Sequence, residues 1–76
     1  GVRVAVSVAE AKGTIAKIAN AIASVGGDIV GLGLSDPTPT SGEDWEITFK
    51  VQGVAKDKLV DIIRPVVRKI LDVRET

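Results

Sequence analysis

AKGTIAKIANAIASVGGDIV, residues 11–30, decides how this chain folds, because it runs from a turn through a helix into a strand without a break. Ile15, Ile18, Ala19, Ile22 and Val25 follow the i, i+3, i+4, i+7 spacing of one buried helix face. The spacing predicts a helix opening at Gly13 and Thr14, where the threonine can accept a hydrogen bond from one of the first free backbone N–H groups. The other free N–H groups form a weak positive pole, the one ready-made anion site in the sequence. Gly26 and Gly27 offer positive φ, which ends the helix and turns the chain into Asp28 and the apolar run from Ile29.

Working outward, Val2, Val4, Val6 and Val8 alternate with Arg3, Ala5 and Ser7, the period of a strand with one buried face. Residues 9–12 then form the turn before Gly13. Beyond the helix, residues 29–34 read as a second strand, with Val30, Leu32 and Leu34 on one side and Ile29, Gly31 and Gly33 on the other. Residues 35–43 hold two prolines, a glycine and four hydroxyl residues, which predicts a loop and the most mobile internal segment. Trp45, Ile47, Phe49 and Val51 alternate with Glu46, Thr48 and Lys50 as a third strand, and its two aromatic rings share the apolar phase. Leu59, Ile62, Ile63 and Val66 resume helical spacing, with Asp57 in the first turn, and Pro65 should stop or kink that helix near Arg64. Residues 70–74 close the chain as a fourth strand, with Leu71 and Val73 facing one way and Asp72 and Arg74 the other.

The expected architecture is α+β, a βαββαβ sandwich in which two helices cover one face of a four-stranded antiparallel sheet. Right-handed crossovers put the first and third strands in the centre and leave the second and fourth as edges. The uncovered face is then Arg3, Ala5, Ser7, Gly31, Gly33, Glu46, Thr48, Lys50, Asp72 and Arg74.

Composition removes several classes of function. The 76 residues make one domain, with ten basic and ten acidic side chains cancelling to a formal charge of zero. That balance argues against a nucleic-acid surface and against an electrostatic membrane anchor. There is no cysteine and no histidine, hence no thiol nucleophile, no thiolate metal site and no neutral-pH imidazole base. The cysteine-free composition fits a cytoplasmic protein. No run reaches the length of a membrane-spanning helix. The start at Gly1 and Val2, with no methionine anywhere, reads as a domain cut from a longer protein. No catalytic constellation, cofactor fingerprint or metal-ligand spacing is present, so the expectation is a non-enzyme without cofactor or metal. Glu43, Asp44 and Glu46 form a small acidic cluster that reads as a solvated hairpin end. A core this small also gains from a second copy covering an exposed strand, so self-association is expected.

The ordered pattern resembles an ACT domain, a regulatory module of ferredoxin-like fold that commonly binds amino acids. The residues that carry the likeness are the valine-rich first strand, AKGTIAKIANAIASVGGDIV, the third strand ITFKVQG and the closing ILDVRE. Gly13 matches the glycine common before the first helix in that family, with Lys12 where proline is usual, and Gly27 and Asp28 match the pair before the second strand. FKVQGV and ILDVRET are similar to ACT domains attached to tandem CBS domains in acetoin-utilisation-like proteins. The resemblance implies a homodimer that binds a small effector, an amino acid, near its interface and signals to an attached domain. The effector site it implies is Ala11, Lys12, Gly13 and Thr14, completed by Gly27, Asp28 and Ile29 from the same chain or its partner. A dimerisation module with no small-molecule ligand is the rival expectation.

Overall fold

The structure is a computed structural model that describes residues 1–35 and 44–76. Its elements run β1 (Val2–Val8), α1 (Ala11–Ser24), β2 (Asp28–Ser35), β3 (Trp45–Gln52), α2 (Lys56–Ile63) and β4 (Lys69–Glu75). The four strands form one antiparallel sheet in the order β2-β3-β1-β4. The protein is therefore α+β, with β1 and β3 central and β2 and β4 at the edges, as the crossover argument expects.

The core follows from the alternation. Val2, Val4, Val6 and Val8 pair across the sheet with Val51, Phe49, Ile47 and Trp45, and paired residues share a face. On that face all of them but the half-buried Trp45, which packs against the rest, join Ile18 and Ile22 of α1 and Leu59 and Ile63 of α2 in a single buried cluster. Both helices therefore cover the same side. Each such side chain contributes about 1.5–3 kcal/mol on burial. Arg3, Ala5 and Ser7 pair with Lys50, Thr48 and Glu46 on the other side.

Helix α1 begins at Ala11 and not at Thr14. Ala11 is buried, so packing the first turn onto the core recruits residues 11–13 into the helix, where alanine and lysine are good formers. Gly13 accordingly has no positive φ and Thr14 is not the cap. The other end matches expectation. Gly26 takes φ 80°, its N–H donates to Ala23 O at 3.1 Å, and the Gly27 N–H donates to Ile22 O at 3.0 Å. That is a Schellman closure, in which the two bonds satisfy carbonyls of the last helical turn.

Helix α2 ends at Ile63 with Arg64 as its cap, because Pro65 brings no N–H and its ring collides with the preceding turn. The N–H groups of Val66 and Val67 still donate to Ile63 O, at 2.9 and 3.2 Å, so one irregular turn follows the helix.

Two bulges correct the expected strand phases. In β2 the pairing slips between Ile29 and Gly31, leaving Val30 as the extra residue. Ile29, Leu32 and Leu34 therefore pair with Val51, Phe49 and Ile47 on the helix side, and it is Ile29, not Val30, that shares their phase. In β4 the slip between the partners of Ala5 and Val6 skips Leu71, so Ile70 and Val73 take the core phase instead of Leu71 and Val73. An inserted residue of this kind bends an edge strand and sharpens its twist. Ser35, expected in the loop, is the last residue of β2, and the rest of that loop, residues 36–43, lies outside the described residues.

Candidate functional site

At the start of α1, Ala11 lies against the core, Lys12 is exposed, and Gly13 and Thr14 are half-buried. The N-cap residue is Glu10, in extended backbone with φ −136° and ψ 124°, and its side chain makes no capping hydrogen bond. It is nevertheless close. A Cβ placed on Gly13 would stand 3.0 Å from Glu10 Oε1, so the carboxylate lies beside the first turn. The chain's own negative charge thus sits at the positive pole that an effector carboxylate would use. Sequence reasoning passed over Glu10, although an acid immediately before a helix is a readable signal.

Gly27, Asp28 and Ile29 sit at the other end of α1. The thirteen 1.5 Å rises along this 14-residue helix separate its termini by roughly 20 Å, so a single chain does not bring the two halves of the expected site together. Gly27 also has a packing role of its own. A Cβ there would come 2.5 Å from Val54 Cγ2, 2.7 Å from Ile22 Cγ2 and 3.3 Å from Ile22 O, so the missing side chain lets the α1–β2 turn close on the β3–α2 turn. Asp28 is exposed at the first pair of β2, opposite Gln52.

Strand β2 is the outer strand on its side, and all eight of its residues are exposed. Leu32 and Leu34 point to the helix side yet keep 52% and 47% of their surface in water, and neither is among the hydrophobic side chains packed against the core cluster. Val30 adds a further half-exposed apolar group at the bulge. Since β1 and β2 both run antiparallel to β3, they are parallel to each other. The Ser35 end of β2 therefore shares an end of the sheet with Val8 and the start of α1, and the Asp28 end shares the opposite end with Val2, with β3 between them.

The expected acidic cluster is divided. Asp44 Oδ2 accepts from Ser7 Oγ at 3.0 Å and lies 3.3 Å from Arg68 Nε, while the Arg68 N–H donates to Ser7 O at 2.9 Å. These bonds tie the entry of β3 to the end of β1 and the approach to β4. Glu46 is exposed on the open face, and Glu43 lies outside the described residues. Among the described residues no group of three or more His, Cys, Asp or Glu side chains could hold a metal ion, and no helix is long and apolar enough to cross a membrane.

Among the described residues, four of the surface depressions have volumes of about 320 to 450 Å³. None of these four is lined by residues 11–14 or 27–29. A scan against protein-family models finds no match to this chain, and a search of curated proteins finds no significant one.

Proposed function

We propose that this chain is a ferredoxin-like, ACT-type regulatory module that dimerises through β2 and binds a small effector, an amino acid, at the dimer interface, signalling to an attached domain. The observation that carries the reading is the β2 edge, which among the described residues pairs on one side only, with β3, and carries the exposed Leu32 and Leu34. An edge of this kind invites another strand.

The geometry of such pairing supports the effector half of the reading. Antiparallel pairing of β2 with its copy, about a twofold axis near Gly31 and Leu32, would bring Asp28 opposite Ser35 of the partner subunit. The Ser35 end of β2 is also the end at which α1 begins. Residues 11–14 of one subunit and residues 27–29 of the other would then face the same cleft. Free N–H groups at the helix start suit a carboxylate and Asp28 suits an ammonium group, and an amino acid carries both. An effector that fits the dimer better than the monomer shifts that equilibrium, and with it the attached domain.

One observation favours the rival, a dimerisation module without a ligand: Glu10 already stands beside the helix pole. Sedimentation of the chain together with a thermal-shift screen of amino acids separates the two readings. Dimers whose melting temperature rises with one amino acid support effector binding. Dimers indifferent to all of them support the rival, and a monomer at every concentration with and without amino acids refutes both.

A further inference from the structure

Three cations stand side by side across the open face of the sheet. The register sets Lys50 of β3 opposite Arg3 of β1, and Arg3 opposite Arg74 of β4. Like charges directly opposite one another destabilise a sheet. Arg74 is offset by Asp72, whose Oδ2 lies 2.8 Å from its Nε. Among the described residues the side chains of Arg3 and Lys50 join no ion pair or hydrogen bond, and neither does the Thr48 hydroxyl.

Beside these groups the sheet is bare. Gly31 pairs with Lys50 and Gly33 with Thr48, and the result is a depression of about 380 Å³ lined by Arg3, Gly31, Gly33, Thr48 and Lys50 among others. Neither glycine has positive φ. A Cβ on Gly31 would first meet Lys50 Cβ at 3.7 Å, and one on Gly33 would first meet Thr48 O at 3.9 Å, both ordinary contacts. Glycine weakens a strand, and here neither backbone conformation nor internal packing requires it. What the two glycines create is the space next to Arg3 and Lys50; the chain-terminal Thr76 also borders it, with its carbonyl oxygen accepting from the Gly1 ammonium at 2.9 Å.

We propose that this groove binds a compact anion carrying two or more negative charges, held between the Arg3 guanidinium and the Lys50 ammonium with the Thr48 hydroxyl as a neutral donor. Glu46 on β3 and Asp72 on β4 bound the positive strip along the same face, so it is one small anion wide. A nucleic-acid strand needs a longer cationic track and stacking rings, and Trp45 and Phe49 both lie in the core phase. The groove is on the face away from α1, so its test stands apart from the effector reading.

The experiment is an amide chemical-shift titration of the chain with inorganic pyrophosphate and, in parallel, with succinate, at about 150 mM salt, where the screening length is only about 8 Å. Saturable shifts centred on Gly31, Gly33 and Thr48 are expected, and the tighter arm identifies phosphoryl or dicarboxylate chemistry. Arg3→Gln and Lys50→Gln should each weaken binding about tenfold, as the loss of one charge-assisted contact. Gly33→Val keeps every charge, suits a strand and fills the groove, so it should abolish binding in a protein whose melting temperature is maintained. No saturable shift with either anion, or binding that survives both Lys50→Gln and Gly33→Val unchanged, would overturn the proposal.

Discussion

Replacing Gly27 by alanine tests how the turn after α1 is built. The added methyl would stand 2.5 Å from Val54 Cγ2 and 2.7 Å from Ile22 Cγ2, about 1 Å inside the roughly 3.5–4.0 Å at which carbon atoms rest against each other. Ile22 cannot yield, being 1% exposed within the core cluster, and Ile22 O at 3.3 Å closes the remaining direction. Relief must come from Val54 or from movement of the turn, and overpacking of this kind costs about 1–3 kcal/mol. In a domain of this size that lowers the melting temperature by roughly 4–8 °C per kcal/mol. Urea denaturation followed by Trp45 fluorescence measures the free energy directly. Gly33→Ala serves as the control, since its Cβ meets only Thr48 O at 3.9 Å, and it should leave stability unchanged or slightly raised. Combining Gly27→Ala with Val54→Ala should recover part of the loss, because the second change removes one of the colliding methyls. Equal stability of Gly27→Ala and the native chain would refute the reasoning and return Gly27 to a ligand-facing role.

Leu32→Ser with Leu34→Ser should leave the fold intact, because both side chains are half in water already. It should weaken a β2-paired dimer about a thousandfold, since burying the exposed half of four leucines supplies about 4 kcal/mol; sedimentation equilibrium reads the change. Glu10→Ala removes the carboxylate from the pole of α1 and should raise the affinity for an amino acid about two- to fivefold, the scale of a surface helix-pole interaction. Calorimetry with the amino acid selected by thermal shift decides it, and an unchanged affinity would remove Glu10 from the site. Asp44→Ala should cost about 1–2 kcal/mol by releasing Ser7 and Arg68, and Ser7→Ala should cost less because Asp44 keeps Arg68; paired urea melts give both numbers.

The amino-acid sequence by itself determined the features that depend on neighbours along the chain. The period-2 runs of Val2 to Val8 and of Trp45 to Val51 chose the buried faces of β1 and β3. The 3.6-residue spacing chose Ile18, Ile22, Leu59 and Ile63 as helix core, and the chemistry of Gly26 and Pro65 marked where both helices stop. Chain crossover rules then placed β1 and β3 in the centre. The tertiary structure decided whatever depends on which strand lies beside which. The extra residues at Val30 and Leu71 exist only relative to partner strands, so local alternation could not locate them. The early start of α1 comes from the burial of Ala11, and the need for Gly27 from Ile22 and Val54, which chain folding brings to it from both sides in sequence. The two halves of the expected effector site follow the same logic: their residue types were legible, but the length of α1 keeps them apart within one chain. Lys50, Arg3 and Arg74 become a row only through the register of three strands drawn from opposite ends of the chain, because alternation assigns a residue to a face and only pairing assigns it a neighbour.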